Sequence, residues 1–252
     1  MTKIILSGCL GRMGKAISAI VAETEDAEIV CGFDIASGDC GYPVYSDYAS
    51  VSVDADVIID FSHPANLNKL LSFAKRNDLP IVVATTGLTE DQKKELSDAS
   101  KIIPVFFSAN MSLGINLLIR LAKQAAKILE GSFDIEIIEK HHNKKIDAPS
   151  GTALAIADGI AESLSNKPEY VYERHSVRKP REKQEIGLHA VRGGTIVGEH
   201  EVLFAGPDEV ISLSHSAQSR DVFAQGAVRA AKFLSKKSVG FYSMDDLFSD
   251  LV

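Results

Sequence analysis

The sequence is poor in cysteine and in groupings of metal-binding residues. Three cysteines, Cys9, Cys31 and Cys40, occur in 252 residues, without a Cys-x-x-Cys pair or a Cys/His cluster at zinc-binding spacing. Disulfide scaffolds and structural zinc sites depend on such patterns, so the sequence predicts neither a disulfide framework nor a metal site. A small and odd number of thiols is typical of a reducing compartment, and we expect a cytoplasmic protein.

Long apolar runs and an excess of basic residues are absent as well. No stretch approaches the roughly 20 apolar residues that cross a bilayer, and the run Ile4-Ile5-Leu6 is too short for the core of a signal peptide. Lys and Arg number 27 against 34 Asp and Glu, which gives a net charge of −7. Because phosphate surfaces select for basic patches, this balance argues against a nucleic-acid or membrane partner. A small anionic substrate needs only a local basic pocket.

Short runs rich in isoleucine and valine alternate with amphipathic segments as far as Asn110. The runs predict buried strands and the segments between them predict helices. Strands that alternate with helices pair in parallel, since a hairpin cannot join parallel neighbours. This half is therefore predicted as an α/β, Rossmann-type, doubly wound parallel sheet. Its predicted strands are 3–7, 28–33, 57–60, 80–84 and 102–105, and its predicted helices are 12–22, 64–76 and 89–99.

The remainder of the chain predicts a second, α+β domain with a mixed or antiparallel sheet. Three apolar runs joined by glycine-containing turns predict an antiparallel meander, and the polar region 166–183 predicts a mobile surface loop. We expect residues 1–111 and 217–252 to form a dinucleotide-binding domain, and residues 112–216 to form a substrate-binding and oligomerisation domain. The predicted elements are helices 113–129, 152–164 and 221–234, a short helix near Leu247, and strands 133–141, 185–191, 195–204 and 209–215.

A glycine-rich turn follows the first predicted strand. Gly8, Gly11 and Gly14 have the spacing G-x-x-G-x-x-G and lead into a helix. Glycine permits the sharp bend and lets a pyrophosphate approach the helix N-terminus without a Cβ in the way. Asp34 ends the second strand, 20 residues after Gly14, where an acid can accept hydrogen bonds from the adenosine ribose. This context favours a dinucleotide site over a turn without a ligand.

Asp34 also bears on the choice of cofactor, because Ile35, Ala36 and Ser37 follow it and no arginine does. A carboxylate repels the 2′-phosphate of NADPH, so NADH is predicted as the preferred cofactor and NADPH as an alternative. Arg12 could partly neutralise that phosphate, although a solvated side chain is an equally good interpretation. The segments 84–87 and 108–111 end strands at the same edge of the sheet, which favours cofactor contact over plain capping loops.

The densest chemistry lies in residues 139–152, EKHHNKKIDAPSGT. A basic cluster in an acidic chain, before a helix that opens at Ser150-Gly151-Thr152, suits a small substrate with more than one carboxylate. Fully extended, His141 and Lys145 would lie about 13 Å apart, so a turn must join them if they share a reaction centre. His141 and His142 face opposite sides of a strand and are expected to have different roles.

With these motifs the sequence resembles the 4-hydroxy-tetrahydrodipicolinate reductase family, also called dihydrodipicolinate reductase, of bacterial lysine and diaminopimelate biosynthesis. The resemblance implies hydride transfer from NAD(P)H to a cyclic, imine-derived dicarboxylate, giving tetrahydrodipicolinate and water, in a homotetramer assembled through the C-terminal sheet. The segments that carry it are 8–14, 56–64 (DVIIDFSHP), 85–87, 108–116, 141–152, 191–200 (VRGGTIVGEH) and 223–229, of which 141–152 is the most specific.

The resemblance also implies roles for individual residues. His141 matches the proton donor and acceptor of the family and Lys145 its second proton donor, roles that imidazole and ammonium groups can perform near neutral pH. Ala84, where the family usually has glycine, and the missing arginine after Asp34 are departures. Substrate contacts are expected at His142, Ser150, Gly151 and Thr152, and cofactor contacts at Gly8, Cys9, Leu10, Gly11, Arg12, Met13, Asp34, Ala84, Thr85, Thr86, Ser108, Ala109, Asn110 and Met111.

Two other functions stay open at this point. A different nicotinamide enzyme, such as an amino-acid or imine dehydrogenase, would turn over another substrate. A nucleotide-sensing regulator would bind NADH without oxidising it, although the His141/Lys145 pair argues against a pure sensor. Glu199-His200-Glu201 is not interpreted as a metal site because strand neighbours diverge, and Arg192 could reach either the substrate or a subunit interface.

Overall fold

The chain folds into two compact units in a computed structural model that describes residues 1–51 and 53–251. The first unit comprises Met1–Leu113 together with the chain from Asp221 onwards, and the second comprises Gly114–Arg220. Within the described residues, every helix is too short or too polar to cross a membrane.

The first unit contains a seven-stranded sheet in which every pair of neighbouring strands is parallel, in the order β12-β6-β5-β4-β1-β2-β3. This confirms the predicted Rossmann-type sheet. Its strands are β1 (Thr2–Ser7), β2 (Ala27–Phe33), β3 (Val44–Tyr45), β4 (Val57–Asp60), β5 (Ile81–Val83), β6 (Pro104–Phe107) and β12 (Gly240–Tyr242), and its helices are α1 (Arg12–Ala22), α2 (Leu67–Arg76), α3 (Glu90–Ala99), α6 (Asp221–Leu234) and α7 (Met244–Leu251).

Helices cover both faces of this sheet because successive side chains of a buried strand point in opposite directions. Ile4 and Leu6 of β1 belong to a core with apolar residues of α1 and α6, whereas Ile5 belongs to a separate core with α2 and α3. A Cβ at Gly226 of α6 would lie 1.7 Å from the carbonyl oxygen of Met111. Glycine at this position therefore allows α6 to pack closely against the chain that follows β6.

The second unit contains a five-stranded mixed sheet in the order β11-β10-β7-β9-β8. The predicted mixed or antiparallel sheet is confirmed, but the predicted meander is wrong, because β7 lies between β9 and β10. The elements are α4 (Leu113–Leu129), β7 (Asp134–His141), α5 (Gly151–Ser163), β8 (Glu169–Val171), β9 (Glu185–Arg192), β10 (Gly198–Ala205) and β11 (Val210–Ala217).

The chain between β9 and β10 crosses the end of β7 instead of forming a hairpin. The Gly193 N–H donates to the His141 carbonyl (2.9 Å), and the Asn143 N–H donates to the Gly194 carbonyl (3.2 Å). As a result β9 runs parallel to β7 while β10 runs antiparallel to it. The same glycines that predicted a tight turn thus allow a crossing over a third strand.

Two local predictions also differ from the structure. The strand predicted at 102–105 is β6, Pro104–Phe107, because the Ile102 and Ile103 N–H groups both donate to the Ala99 carbonyl and prolong the end of α3. The region 166–183, predicted as a mobile loop, contains β8 and is anchored to Glu136 of β7. Arg174 and Arg181 each donate to that carboxylate at 2.9 Å.

Candidate active site

The glycine turn after β1 leaves space that any larger residue would fill. Gly8 has φ +80°, and a Cβ there would lie 2.6 Å from the Phe61 carbonyl oxygen. A Cβ at Gly14 would lie 2.3 Å from the Gly8 carbonyl oxygen. Gly11 is the N-cap of α1 and supplies no side-chain hydrogen bond to it. The first N–H groups of α1 are therefore uncapped by a side chain and suit an anion.

Asp34 lies where the sequence predicted a ribose contact, directly after β2. Its carboxylate accepts hydrogen bonds from the Leu10 N–H (3.0 Å) and the Ala36 N–H (3.2 Å), so it is held against the glycine turn. A crevice of about 280 Å³ is lined by Gly8, Gly11, Asp34 and residues that follow β4. This volume and lining fit part of a dinucleotide.

The non-glycine side chains of the turn differ in burial. Cys9 is buried, and burial raises the pKa of its thiol to about 12. Leu10 and Met13 pack against the same core from half-buried positions, whereas Arg12 is exposed. Of the residues in this turn, Cys9 can therefore contribute to a ligand through its backbone only.

The two loops that follow β5 and β6 are held by their own hydrogen bonds. The Thr85 hydroxyl donates to Asp60 Oδ2 (2.7 Å), and burial raises the pKa of the Asp60 carboxyl. The Ser108 hydroxyl donates to the Asn110 carbonyl (2.7 Å). Among the remaining predicted contacts in these loops, Ala84 and Met111 are buried, while Thr86 and Ala109 are exposed.

Three features of the first unit together fit the binding of a dinucleotide. The turn forms a cradle that a Cβ would fill, an uncapped helix N-terminus stands at that cradle, and a carboxylate lies at the end of the neighbouring strand. A bound NAD(P)H would be held by Gly8, Gly11, Asp34 and the loops after β5 and β6.

In the second unit, the predicted proton donor is hydrogen-bonded to a buried acid. Glu139 and His141 lie on the same face of β7, and His141 Nδ1 is 2.6 Å from Glu139 Oε2. Glu139 also accepts a hydrogen bond from the Ser150 N–H (2.9 Å) and two from the Arg192 guanidinium (2.7 Å each). Burial alone would raise the pKa of Glu139, but these hydrogen bonds outweigh it and hold that pKa below its ordinary value.

A second imidazole stands beside His141. The rings of His141 and His200 are 5.2 Å apart at 76°, and His200 Nε2 is 3.2 Å from the Ser150 hydroxyl oxygen. Burial, aided by the neighbouring His141, lowers the pKa of His200 to about 4. His200 is therefore neutral near pH 7, which makes it unsuited to act as an acid there.

The loop between β7 and α5 turns back on itself directly after His142. The Lys145 N–H donates to the His142 carbonyl (3.1 Å), which closes a turn through Asn143 and Lys144. The Lys145 ammonium lies 2.9 Å from Asp147 Oδ1, and its hydrogen bond lowers the pKa of Asp147. The chain thus bends where a shared reaction centre for His141 and Lys145 would require it.

The predicted carboxylate contacts lie at the start of α5. Ser150 is its N-cap, and the Ser150 hydroxyl accepts a hydrogen bond from the Ala153 N–H (3.1 Å). Gly151 is exposed and Thr152 is half-buried in the first turn. His142 and Lys145 therefore lie in the loop that joins the His141 end of β7 to the start of α5.

Sequence reasoning assigned no role to Glu139 and left Arg192 undecided. The sequence feature that could have revealed the contact of Glu139 with His141 is their spacing of two residues, which places both side chains on one face of a strand. The pairing of Arg192 with Glu139 depends on the parallel register of β7 and β9, in which Arg192 lies opposite His141. Among the residues that the structure describes, no three His, Cys, Asp or Glu side chains cluster as metal ligands do.

A parallel sheet with this glycine turn, in one chain with a second unit that carries a paired histidine, defines an NAD(P)H-dependent oxidoreductase. Family models described as the N-terminus and the C-terminus of dihydrodipicolinate reductase match residues 2–111 and 114–248. The chain belongs to the dihydrodipicolinate reductase family. The second model extends through α6, which packs in the first unit, so the chain returns to that unit after the second sheet.

Relatives named 4-hydroxy-tetrahydrodipicolinate reductase align with nearly the whole chain. The 4-hydroxy-tetrahydrodipicolinate reductase of Caldanaerobacter subterraneus is 56% identical over 247 residues, 98% of each chain. That of Clostridium novyi is 50% identical over 248 residues, again 98% of each chain. The resemblance inferred from the motifs is thereby confirmed.

Solved structures agree in fold. A dipicolinate-bound dihydrodipicolinate reductase from Paenisporosarcina sp. TG-14 superposes with a TM-score of 0.81 at 24% identity, over 96% of this chain and 97% of the other. A scyllo-inositol dehydrogenase from Lactobacillus casei with bound NAD(H) gives a TM-score of 0.61 at 14% identity, over 98% and 93%. At these identities the likeness concerns the fold alone.

Proposed function

We propose that this chain catalyses the NAD(P)H-dependent reduction of 4-hydroxy-tetrahydrodipicolinate to tetrahydrodipicolinate in lysine and diaminopimelate biosynthesis. The observation that carries the proposal is the segment 139–152, in which a paired imidazole at the end of β7 is followed by an ammonium group in a turn and by the start of α5. Its family membership and the established names of relatives that cover 98% of the chain support the same substrate.

The reaction consumes one hydride and one proton and releases water. The reduced nicotinamide supplies the hydride when the cofactor is bound. His141 supplies the proton, because its Nδ1 is held by Glu139 and its Nε2 is the nitrogen left for exchange with the substrate. Lys145 holds a carboxylate of the substrate and, as the second donor, protonates the hydroxyl that leaves as water. The proton that the ring loses in this elimination balances that donation, so the net consumption stays at one hydride and one proton.

The start of α5 binds the substrate carboxylates. Gly151 and Thr152 stand in the first turn of α5, at the positive end of the helix, where a substrate carboxylate is stabilised. Ser150 contributes as the N-cap that orders this turn, since its hydroxyl is already engaged with the Ala153 N–H and lies near His200. His142, half-buried at the opening of the loop, completes the substrate contacts.

For the cofactor we propose NADH as the preferred donor and NADPH as an alternative. The Asp34 carboxylate, held by two backbone N–H groups at the rim of the crevice, suits the two hydroxyls of an unphosphorylated ribose. A 2′-phosphate at this position would meet a negative charge, and Ile35, the next residue, is fully exposed and offers no positive charge.

The decisive experiment follows the decay of NADH or NADPH absorbance while the pathway synthase makes the substrate in situ. We expect turnover with both cofactors and a higher kcat/KM for NADH. His141→Gln should lower kcat by roughly 10²–10⁴-fold, the usual worth of a positioned acid. Turnover of amino acids or simple imines, with none of the cyclic dicarboxylate, would favour a different dehydrogenase, and NADH binding without oxidation would favour a sensor.

We further propose that the enzyme works as a cytoplasmic homotetramer assembled through the second sheet. Val210 and Ile211, at the start of the edge strand β11, expose 62% and 37% of their surface, which is apolar area that a neighbouring subunit could cover. Light scattering coupled to gel filtration gives the mass, and a monomeric particle at assay concentration would refute the assembly.

A further inference from the structure

Glu139 is enclosed more completely than a surface ion pair requires. Its side chain is 0% exposed, and its two oxygens receive four hydrogen bonds from three elements. These come from His141 on β7, from both terminal nitrogens of Arg192 at the end of β9, and from the Ser150 N–H at the start of α5. Arg192 also donates to the Asp147 carbonyl at 2.7 Å. One carboxylate therefore links both boundaries of the 142–150 loop.

This arrangement selects between the two nitrogens of His141. An ionised carboxylate 2.6 Å from Nδ1 accepts a hydrogen bond only if Nδ1 carries the proton. The exchangeable position is then Nε2. A Cβ at Gly198, on the neighbouring strand β10, would lie 3.1 Å from that Nε2, so the glycine keeps the space beside it open.

Stability by itself does not account for such a buried ion pair. Removing a carboxylate from water is unfavourable even beside a guanidinium, and an apolar pair of similar volume commonly holds a fold equally well. The cost is incurred at a position of β7 whose side chain contacts His141 directly. A role of His141 in the reaction explains why the Glu139 carboxylate is buried beside it.

We propose that Glu139, clamped by Arg192, is a positioning residue that fixes His141 as the Nδ1–H tautomer and leaves Nε2 as its only proton-exchanging atom. The inference rests on the proposed role of His141 and adds two residues to the machinery of the reaction. Glu139 and Arg192 act through His141 and are not assigned a contact with the substrate.

The test compares two glutamates of one strand. Glu139→Gln keeps the size of the side chain but removes its charge, and an amide can accept from Nδ1–H or donate to a bare Nδ1, so it no longer selects a tautomer. Glu136→Gln is the matched control, because Glu136 also contacts a histidine (His189, 2.7 Å) and two arginines but lies on the opposite face of β7.

The first readout is steady-state kinetics with saturating NADH. We expect Glu139→Gln to lower kcat by roughly 10²-fold with KM changed less than threefold, because the acid is misoriented while the substrate contacts remain. Glu136→Gln should keep kcat within about twofold, since Glu136 lies on the face of β7 away from His141. Equal effects of the two substitutions would overturn the proposal.

The second readout is the ¹⁵N NMR spectrum of the histidine rings, with the His141 signals assigned by their absence from His141→Gln. We expect the Nδ1–H tautomer in the wild type and in Glu136→Gln, and a mixture in Glu139→Gln. An unchanged tautomer in Glu139→Gln overturns the positioning role, whereas unchanged turnover in His141→Gln overturns the proposed catalytic role. The two failures are therefore distinguishable.

A third variant guards against unfolding. Loss of the Glu139 charge leaves the half-buried Arg192 guanidinium without its ionic partner, which can destabilise the protein. Glu139→Gln combined with Arg192→Met removes both charges together and should restore the thermal midpoint toward that of the wild type. We expect this double variant to keep the low kcat and the mixed tautomer, and recovery of wild-type kcat would overturn the proposal.

Discussion

Gly11 and Gly14 stand three residues apart in the turn after β1, and we expect alanine at each position to fail in a different way. A Cβ at Gly14 would lie 2.3 Å from the Gly8 carbonyl oxygen and 2.5 Å from the Cys9 carbonyl oxygen. Both obstacles are backbone atoms, so the turn itself must move. A Cβ at Gly11 meets only the Gly8 carbonyl oxygen, at 3.2 Å, and Gly11 lines the crevice.

The two variants are expected to differ in thermal midpoint and in the Kd for NADH. For Gly14→Ala the backbone must open by about 1 Å, an overpacking strain of roughly 1–3 kcal/mol against which helix propensity returns at most about 1 kcal/mol. With a net loss of about 1–2 kcal/mol, the thermal midpoint should fall by roughly 2–8 °C. Gly11→Ala weakens only the cap, but its methyl group displaces a pyrophosphate from the helix N-terminus. Loss of one charge-assisted hydrogen bond, about 1.5–3 kcal/mol, raises the Kd for NADH roughly 10- to 150-fold.

Thermal unfolding without ligand and calorimetric titration with NADH measure the two effects. Gly14→Ala should show a lowered midpoint, and Gly11→Ala should keep its midpoint within about 2 °C while binding NADH weakly. An unchanged Kd in Gly11→Ala would refute the placement of the pyrophosphate at α1. An unchanged midpoint in Gly14→Ala would refute the close contact between that position and the turn.

Three further outcomes follow from the site. Lys145→Met should lower kcat and raise KM, each roughly 10-fold or more, because a charge-assisted contact with the substrate is lost. Lys144→Met, at an exposed neighbouring position, is the control. Equal kinetics in the two variants would refute a role of Lys145 in the reaction. Asp34→Ser should reduce the NADH-to-NADPH ratio of kcat/KM, and a larger ratio would contradict the ribose contact. Because the pKa of His200 is lowered from 6.5 to about 4, the unfolded chain takes up a proton that the folded chain does not. The free energy of unfolding is therefore expected to fall by roughly 3 kcal/mol from this group as the pH drops from 6.5 to 4. Urea titrations at pH 7 and 4.5 measure the loss, and His200→Gln should lack this part of it. Parallel losses in wild type and variant would contradict the shift.

Sequence patterns predicted most helices and strands because these elements depend on local spacing. The isoleucine and valine runs became β1, β2, β4 and β5, and α1, α4 and α6 have the predicted bounds. The short edge strands β3, β8 and β12 were not predicted, because two or three residues carry too little periodicity to be recognised. Their pairing depends on a neighbouring strand that is distant in sequence.

Strand order was the main error of the fold prediction. Gly193 and Gly194 are compatible with a hairpin and with a crossing, and nothing local decides between them. The choice is made by β7, whose His141 carbonyl accepts the Gly193 N–H and whose inner face completes the core with α4 and α5. A competing strand some 50 residues away cannot be inferred from a turn motif.

The candidate site shows the same division. Neighbouring residues of the segment 139–152 were enough to predict a proton donor (His141), a cation (Lys145) and a helix start. The turn closed by the Lys145 N–H and the His142 carbonyl is also formed by residues close in sequence. Glu139 and Arg192 are 53 positions apart, and their contact exists only because β7 and β9 run side by side.

The amino-acid sequence alone determined the family and the dinucleotide-type sheet and indicated the candidate residues for the chemistry, because glycine spacing, apolar periodicity and clustered functional groups are properties of neighbouring residues. Only the tertiary structure decided that β7 separates β9 from β10, that a buried carboxylate holds His141, and that His200 is neutral. Those features arise from desolvation and long-range pairing, which act between residues that the chain brings together only when it folds.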